Sequence, residues 1–333
     1  MFKHIYVENN VLQNPYAQNI LSYFKNIPNT QIDKLEDIWG RVKKPYLQKR
    51  DNLNLFIGNK KGQLIKKTPA AYGTSSGEHY YFIHAYNCIY ECEYCYLQGY
   101  FHTPDIVLFV NHDEIIQQMQ QIVDESKQEV WFHAGEFSDS LALAHITGEL
   151  ALYWKFFKKN PKAKLELRTK SVNIKPILGL EPLKNIIVSF SLSPENAVKT
   201  YDKKTPSLKA RLKAIAELSQ SHYRIGIHFD PIIFSENTYE DYKTLLTQLI
   251  DKLDLEQLEY LSLGVVRFPK NIYSQVEKNY PDSKLLAQEF TTSTEGMVKY
   301  PRPMRLNLLK KIKNLCQENG IQEELIYFCM EEA

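Results

Sequence analysis

Residues 88–96 read Cys-Ile-Tyr-Glu-Cys-Glu-Tyr-Cys-Tyr, and they follow directly on the apolar stretch Tyr-Tyr-Phe-Ile-His-Ala-Tyr at residues 80–86. The spacing is C-x3-C-x2-C, so Cys88, Cys92 and Cys95, three of the five cysteines of the chain, fall within eight residues. The apolar stretch predicts a buried strand. A strand that ends in three closely spaced thiols is typical of a metal site.

Downstream of this loop, candidate strands alternate with candidate helices. Strands are predicted at 79–86, 129–134, 164–169, 185–192, 223–229 and 259–268, and helices at 113–125, 140–158, 207–219 and 239–253. Such alternation implies βαβ units and a parallel sheet, which right-handed crossovers curl in one direction. About six strands fall short of the eight that close a full barrel. We therefore predict an α/β fold with a partial (β/α)6 TIM-type barrel.

This barrel accounts for residues 79–333, and residues 1–78 are predicted to be an N-terminal extension that packs on it. A C-terminal helix at 304–318 and an edge strand at 323–330 complete the predicted barrel domain. The chain has 333 residues, of which 44% are apolar and 24% charged, as in ordinary globular proteins. No apolar run approaches the length of a membrane span, and the first residues lack the apolar segment of a secretory signal. The bunched cysteines favour a metal site in a reducing cytoplasm over a disulfide scaffold.

Basic residues are concentrated in two segments. Residues 41–67, which begin with Arg41 and end with Lys67, contain nine Lys or Arg and one acid. Residues 296–313, in which Lys299 to Lys313 carry the charge, contain six Lys or Arg and no acid, with Tyr300 among them. Such segments are either solvated surface or phosphate-binding sites for nucleic acid.

Polar residues follow the C-terminal ends of successive predicted strands. They are the three cysteines, residues 135–139, residues 168–170, Ser189, Ser191, Ser193, His228, Asp230 and Arg267. Because active sites form at this edge of parallel α/β sheets and barrels, the shared position predicts a single site.

Two metal centres fit three clustered thiols. A structural zinc site needs four ligands, usually in two separated pairs, but here a third cysteine precedes a single Cys-x2-Cys pair. A [4Fe–4S] cluster held by three thiolates instead leaves one iron open to an outside ligand. Cys316 and Cys329 lie in a predicted helix and an apolar strand, so we expect both to be inert core thiols.

The C-x3-C-x2-C loop after the first barrel strand resembles that of the radical S-adenosylmethionine superfamily, and the chain is most similar to the spore photoproduct lyase family. The resemblance is carried by CIYECEYCYLQG (88–99), FHAGEFSDSLALAHITG (132–148), RTK (168–170), SFSLS (189–193) and TPSLKAR (205–211), with IYVE (5–8) and YPDSKL (280–285) near the two ends.

The resemblance implies that Cys88, Cys92 and Cys95 bind a [4Fe–4S] cluster whose open iron chelates S-adenosylmethionine. Reduction by an external one-electron donor, such as a flavodoxin or ferredoxin, then yields a 5′-deoxyadenosyl radical that abstracts hydrogen from the substrate. The remaining site residues are assigned by the same resemblance. Lys170 pairs with the cofactor carboxylate, Ser138 and Ser191 contact the cofactor, Tyr96 lies near cofactor and substrate, and Tyr94 and Tyr96 match the family's tyrosine pair.

One position departs from the family pattern. The family carries a cysteine in the second-strand block that returns a hydrogen atom to the product radical, and Glu136 occupies that position here. A carboxylic acid cannot replace a thiol as a hydrogen-atom donor. Gly135-Glu136 instead resembles the Gly-Gly-Glu element of other radical S-adenosylmethionine enzymes, whose acid contacts the cofactor amino group.

The substitution leaves three hypotheses for the function. In the first, the chain repairs a dimerised-thymine lesion in DNA, with Tyr96 and Tyr94 as catalytic residues and hydrogen return by Tyr96, Tyr94 or the cofactor. In the second, it uses the same radical chemistry on a different, non-DNA substrate. In the third, it is a non-catalytic iron–sulfur protein that binds nucleic acid. For a DNA substrate, we expect residues 41–67 and 299–313 to contact phosphates, Tyr300-Pro301-Arg302 to form a wedge, and binding to depend strongly on salt.

Overall fold

The computed structural model describes residues 2–37, 53–69, 77–101 and 103–331. In chain order its strands are β1 (Ile5–Glu8), β2 (Asn29–Ile32), β3 (Leu55–Gly58), β4 (Ile65–Lys67), β5 (Glu78–Phe82), β6 (Ala85–Tyr86), β7 (Glu91–Cys92), β8 (Ile106–Phe109), β9 (Val130–Ala134), β10 (Ala163–Thr169), β11 (Ile186–Ser191), β12 (Asp202–Lys203), β13 (Arg224–Ile232), β14 (Leu258–Val265), β15 (Arg267–Pro269), β16 (Thr291–Thr292), β17 (Met297–Lys299) and β18 (Ile326–Phe328).

The helices of the described residues alternate with the central strands. They are α1 (Pro15–Tyr23), α2 (His112–Glu125), α3 (Ala144–Thr147), α4 (Leu150–Lys159), α5 (Lys175–Leu178), α6 (Glu195–Tyr201), α7 (Leu208–Gln220), α8 (Thr238–Ile250), α9 (Lys270–Asn279) and α10 (Arg302–Glu318), with 3-10 turns at Asn9–Val11, Leu35–Asp37, Leu255–Gln257 and Glu323–Leu325. None of the helices in the described part of the chain combines the length and apolar composition needed to cross a bilayer.

Eight strands form the central sheet, in the order β18-β14-β13-β11-β10-β9-β5-β4. Six of them, from β5 to β14, are parallel neighbours in this sheet, joined through helical crossovers, and β18 adds a parallel seventh strand at the β14 edge. At the other edge, β4 pairs antiparallel with β5. The predicted α/β class and six-stranded partial barrel are confirmed.

A second sheet has the order β2-β1-β3-β8-β6. Its first three strands come from the N-terminal segment, whereas β6 and β8 flank the cysteine loop in sequence. The chain therefore leaves the barrel after β5, joins the second sheet at β6, forms the cysteine loop and rejoins the second sheet at β8. Because the two sheets share this stretch of chain, the loop is anchored at both of its ends. The domain boundary at residue 78 stays a prediction.

The helix predicted at 140–158 is wrong in its first part. The chain forms a turn at 139–143, then the short α3, and α4 begins only at Leu150. Gly148 ends α3 with φ +76°, a left-handed conformation that favours glycine, so the chain changes direction there. The predicted strand at 259–268 also divides, because β15 leaves the barrel to form a small antiparallel sheet with β17 and β16.

Candidate active site

A cavity of ≈ 390 Å³ opens at the C-terminal ends of the barrel strands. Its volume falls within the range of small-molecule binding sites. It brings together residues that lie far apart in sequence. The predicted site residues among them are Tyr94, Cys95, Tyr96, Gly135, Glu136, Arg168, Lys170, Ser191, His228, Asp230 and Arg267. Ser138 is half-buried nearby but is not one of the residues that line the cavity.

The cysteine loop is held by backbone pairing with a distant segment. β7 and β12 form a two-stranded antiparallel ladder in which Cys92 pairs with Asp202. The amide of Glu93 also donates to the Tyr201 carbonyl at 2.9 Å. Cys92 is buried, whereas Cys88 and Cys95 are half-buried. The segment that follows α6 therefore fixes the position of the central thiol.

A buried ion pair stands behind the same ladder. Arg211 Nη2 donates to Asp202 Oδ2 at 2.9 Å, and Arg211 Nη1 donates to the Ser191 carbonyl at 3.0 Å. The Tyr94 hydroxyl donates to the other carboxylate oxygen of Asp202. Arg211 thus links three parts of the site, namely the cysteine loop, the end of β11 and the start of α7. This contact explains physically why the TPSLKAR block accompanies the cysteine motif.

The tail block YPDSKL reaches the loop from another side. Ser283 Oγ donates to Glu93 Oε2 at 2.6 Å, and Asn279 Nδ2 donates to Gln98 Oε1 at 2.7 Å. Gln98 in turn donates to the Cys92 carbonyl at 2.9 Å. Two segments more than 100 residues downstream therefore brace a loop that has little regular structure of its own.

Asp139 organises the turn that follows β9. Its Oδ2 accepts from the backbone amide of Lys170 at 2.7 Å, and its Oδ1 accepts from Thr169 Oγ1 at 2.6 Å and from the Leu141 amide at 3.0 Å. The carboxylate thereby joins the end of β9 to the end of β10. Sequence reasoning placed Asp139 at the site edge without this role. The local signal is the residue type, because an Asp side chain in a turn commonly accepts a hydrogen bond from the backbone amide two residues further on.

Gly135 is required by its surroundings. Its φ is +96°, and a Cβ at this position would lie 2.7 Å from Ser140 Oγ and 2.9 Å from the Arg168 carbonyl oxygen. A side chain would therefore collide with backbone as well as strain the main chain. The glycine brings the backbone of residues 135–136 close to the end of β10, and the Tyr96 hydroxyl donates to the Glu136 carbonyl there.

Lys170 faces the cysteine loop. Its Nζ lies 5.3 Å from the centre of the Tyr94 ring, a cation–π distance. Burial lowers the pKa of the Lys170 ammonium, but Cys92 and Asp202 raise it by more, so the net shift is upward. The ammonium therefore stays charged at the cavity wall nearest the three thiols.

The donor set fits an iron–sulfur cluster better than zinc. In the described residues, which include all five cysteines, no group of three or more Cys, His, Asp or Glu converges so as to hold one metal ion. A zinc site needs such convergence on one ion, whereas a [4Fe–4S] cluster offers several irons to separate thiolates. Three thiols on one loop, none of them in a disulfide, with a cation opposite them, suit the anionic cluster.

The wall of the cavity away from the loop contains a polar network centred on Glu166, of which the sequence analysis predicted Arg168, Ser189 and His228 but not Glu166, His133 or Tyr260. Glu166, 1% exposed, accepts hydrogen bonds from Ser189 at 3.0 Å, Tyr260 at 2.6 Å and His228 at 2.8 Å, and a further one from His133. Although burial alone raises its pKa, Arg168 and His133 hold the pKa of the Glu166 carboxyl well below its usual range. The network therefore keeps Glu166 ionised inside the barrel, paired with the Arg168 guanidinium.

A sequence signal for this wall exists. Glu166, Arg168 and Lys170 alternate along β10, and a strand places alternate side chains on one face. All three line the cavity, so the polar period-two pattern marks the strand face that points into the barrel. The same wall contains an ion pair in which the Arg267 guanidinium donates hydrogen bonds of 2.9 and 3.0 Å to the two carboxylate oxygens of Asp230.

Both tail cysteines are buried, as predicted for core thiols, but they differ in what they contact. Cys316 is fully buried in α10 and packs in the core. Cys329 follows β18 and lines the cavity, with 6% of its surface exposed. The difference arises because β18 is the last strand of the open barrel, so a residue just beyond it lies at the cavity mouth.

The basic segments are partly neutralised. Residues 41–52 of the first segment lie outside the described residues. In the described remainder, Lys61 lies 3.5 Å from Glu8 and Lys67 lies 3.2 Å from Glu78. In the second segment, Arg302, Lys310 and Lys311 are exposed, Arg305 is buried against Glu331, and Lys313 pairs with Glu323 at 2.7 Å.

The wedge predicted at Tyr300-Pro301-Arg302 is wrong for its aromatic member. Tyr300 is 0% exposed and stacks on Phe290 with ring centres 4.8 Å apart. Its hydroxyl bonds to Gln288. Apolar packing of the ring outweighs the basic neighbourhood in sequence, so Tyr300 cannot insert into a base stack in this conformation.

Comparisons with known proteins agree along the whole chain. A model of the spore photoproduct lyase family matches residues 1–328. Spore photoproduct lyase of Clostridium acetobutylicum is 24% identical over 308 residues, 90% of each chain, and that of Bacillus subtilis is 26% identical over 296 residues, 86% of this chain and 84% of the relative.

Solved structures show the same fold. A spore photoproduct lyase mutant superposes with a TM-score of 0.84 at 19% identity, covering 100% of this chain and 99% of that one. Another mutant, with bound AdoMet (S-adenosylmethionine) and dinucleoside spore photoproduct, superposes with a TM-score of 0.81 at 20% identity and the same coverage.

Proposed function

The chain belongs to the spore photoproduct lyase family, and from that premise we propose that it is a radical S-adenosylmethionine enzyme that repairs a dimerised-thymine lesion. The observation that carries the proposal is the cavity in which the cysteine loop, Lys170 and Ser191 meet. Proteins that share a fold can catalyse different reactions. Here, however, the loop, its braces and the charged groups opposite it are all present.

Cys88, Cys92 and Cys95 would hold the [4Fe–4S] cluster. Cluster and S-adenosylmethionine together supply a 5′-deoxyadenosyl radical, the species that abstracts hydrogen from the substrate. The protein's own contribution is to keep the three thiols in place. The β7–β12 ladder, the Arg211–Asp202 pair and the Ser283–Glu93 hydrogen bond supply that rigidity.

Three side chains are proposed to hold the cofactor's amino-acid part. Lys170 provides the charge for its carboxylate, and Glu136 provides a carboxylate for its ammonium. Ser191, whose carbonyl is fixed by Arg211, provides a hydroxyl group. These groups come from the ends of three strands, as expected for a ligand bound at this end of a barrel. Ser138, half-buried outside the cavity lining, is assigned to cofactor contact by family resemblance alone.

The two tyrosines of the loop differ in what their hydroxyl groups contact. The Tyr96 hydroxyl donates to the Glu136 carbonyl, so it lies between the cysteine loop and the proposed cofactor site. The Tyr94 hydroxyl donates to buried Asp202, and its ring packs under Lys170. Tyr96 is therefore the stronger candidate for contact with the reacting groups, and Tyr94 supports the cofactor site.

The proposed substrate is the lesion in DNA. Duplex DNA must release the lesion from the base stack for it to enter a cavity at the barrel mouth. The exposed Arg302, Lys310 and Lys311 and the basic residues of 41–67 are the proposed phosphate contacts. A flavodoxin or ferredoxin is the proposed electron donor.

A second candidate function is favoured by Glu136. With a carboxylate where the family has its thiol, the same radical chemistry on a different, non-DNA substrate is the alternative. The two candidates share every cofactor contact and differ only in the substrate. Lesion repair is preferred because the family match extends over residues 1–328 and includes the C-terminal braces.

The cofactor part of the proposal is tested by Cys92→Ala. Anaerobically reconstituted wild-type protein should contain iron and sulfide, be brown and, once reduced, cleave S-adenosylmethionine to 5′-deoxyadenosine. Cys92→Ala should lose both properties, whereas the control Cys316→Ala, a core thiol away from the loop, should keep them. Full cluster content in Cys92→Ala would refute the ligand assignment.

A further inference from the structure

A thiol that the cluster does not need faces the cavity. Of the five cysteines, three belong to the loop and Cys316 lies in the core. Cys329 is the remaining one, and it lines the same cavity as Tyr96, Glu136 and Lys170. Its backbone amide donates to the Leu263 carbonyl at 2.8 Å, so the position of the residue is set by the end of β14.

The surroundings of Cys329 keep the thiol ordered. Arg267 Nη2 lies 3.5 Å from its sulfur, and Asp230 holds that guanidinium by two hydrogen bonds. Burial raises the pKa of the Cys329 thiol to about 11. At neutral pH the sulfur therefore carries its hydrogen, which is the form that can give up a hydrogen atom.

Two neighbours indicate that this wall receives a ligand. His228 is 1% exposed and lines the cavity, yet its Nδ1 has no hydrogen-bond partner within the described residues. Arg168 lines the same cavity: it donates from Nε to Glu166 at 3.2 Å, and 36% of its side chain is exposed. Burial lowers the pKa of the His228 imidazole to about 4, and its Nε2 donates to ionised Glu166, so Nδ1 of the neutral ring is a hydrogen-bond acceptor. Because buried polar atoms are normally paired, this atom points to a bound partner with a donor group, and the Arg168 guanidinium can bind acceptor oxygens of the same partner.

We propose that Cys329 is the hydrogen-atom donor that quenches the product radical, with the Arg168 guanidinium binding carbonyl or phosphate oxygens of the substrate beside it. This inference rests on the proposed function. It assigns the second half of the reaction to the wall opposite the cysteine loop, whereas Glu136 serves the cofactor.

The step balances as follows. The S–H bond of Cys329 breaks and a C–H bond forms on the carbon radical of the product, which leaves a thiyl radical on sulfur. The external one-electron donor, a flavodoxin or ferredoxin, then reduces the thiyl, and water supplies the proton that restores the thiol. One 5′-deoxyadenosine accompanies each product molecule formed by this route.

The test uses the reconstituted full-length chain with dinucleoside spore photoproduct in H2O and in D2O. Because a thiol exchanges with solvent, wild-type protein and the control Cys316→Ala should form product that carries one deuterium from D2O. Cys329→Ala and Cys329→Ser should keep their cluster and still cleave S-adenosylmethionine. Their product yield should fall well below that of the wild type, and the product that still forms should carry less deuterium from D2O. Equal yield and equal deuterium in the variants would overturn the proposal.

A second measurement needs no variant to fold. In wild-type protein, dinucleoside spore photoproduct should slow modification of Cys329 by a small thiol reagent, read by mass spectrometry, and leave Cys316 unaffected. Modification at an unchanged rate, despite measurable binding, would contradict the proposal.

Failure of the proposed function is distinguishable. If the wild type cleaves S-adenosylmethionine but does not repair the lesion, the lesion is not the substrate. In that case S-adenosylmethionine is cleaved in D2O without substrate, and the deuterium content of the 5′-deoxyadenosine formed shows whether Cys329 can donate to the radical. A lower deuterium content in Cys329→Ala would retain Cys329 as a donor facing the radical, and an equal content would exclude it.

Discussion

Arg211 donates to Asp202 Oδ2 at 2.9 Å, and neither side chain has any solvent exposure. The pair lies directly behind the cysteine loop, because Asp202 also pairs with Cys92 in the β7–β12 ladder and accepts from Tyr94. A buried ion pair adds little net stability when complete, but loss of one partner leaves an uncompensated charge. The integrity of the loop therefore depends on a contact made more than 100 residues away in sequence.

Arg211→Met should lower the free energy of unfolding by about 3–5 kcal/mol, since it leaves Asp202 buried without its counter-charge. Denaturant unfolding measures this change, and iron content after reconstitution should fall with it. Lys213→Met is the matched control, because Lys213 is largely exposed and its pairing with Glu217 is worth less than about 0.5 kcal/mol. A loss no larger than that of the control would contradict the role given to the pair.

Gly135→Ala should destabilise the protein and weaken S-adenosylmethionine binding, because the new Cβ meets Ser140 Oγ and the Arg168 carbonyl at under 3 Å. Gly296→Ala provides the comparison, because its φ of +77° is also positive but nothing lies within 4 Å of the new Cβ. Backbone strain alone costs about 1–2 kcal/mol at both sites. We expect Gly135→Ala to lower the free energy of unfolding by more than Gly296→Ala does. Equal losses of stability would show that the turn at Gly135 can relax around the new side chain.

Lys170→Met and Glu136→Ala should each weaken S-adenosylmethionine binding. Hydrogen bonds to charged groups are worth about 1.5–3 kcal/mol, which corresponds to an increase in Kd of about 10- to 150-fold. Equilibrium dialysis of the reconstituted protein measures this directly, with Lys175→Met, an exposed lysine in α5, as the control. If Glu136→Ala leaves the affinity unchanged, Glu136 is a solvated loop acid and has no part in the cofactor site.

Glu149 should make stability depend on pH. It is 3% exposed, and burial raises the pKa of its carboxyl from 4.5 to about 7. The folded state therefore keeps a proton that the unfolded chain releases above pH 4.5, so this contribution is present below that pH and is lost as pH rises through 7. Glu149→Gln should be more stable relative to wild type at pH 8 than at pH 4. Glu217→Gln, an exposed change, should show no such trend, and parallel curves for Glu149→Gln would contradict the prediction.

The sequence was sufficient for the barrel, because the alternation of strand and helix patterns is local, and for the cysteine loop, because its spacing is explicit. It was insufficient where packing between distant segments determines the position or the partner of a side chain. The pairing of Arg211 with Asp202, the burial of Tyr300 and the position of Cys329 at the cavity all depend on contacts between distant segments. The helix predicted at 140–158 failed for a local reason. Its apolar pattern continued through Gly148, whose left-handed backbone conformation ends a helix.

Polar pairing has the same limit. Charge counts along 41–67 and 299–313 suggested two basic surfaces, but Lys67, Arg305 and Lys313 each have an acidic partner. Composition records the charge of a segment and not whether an acid from another element neutralises it. The polar face of β10 was detectable from its period-two spacing, although only the folded barrel shows that it faces the cavity.

The central claim is that this cavity performs radical chemistry on a dimerised-thymine lesion. The most direct test is an anaerobic assay with dinucleoside spore photoproduct, reduced cluster and S-adenosylmethionine, in which repaired thymine and 5′-deoxyadenosine are quantified together. We predict that both products form and that both disappear in Cys92→Ala. Cleavage of S-adenosylmethionine with no thymine recovered would contradict the claim and assign the enzyme to a different substrate.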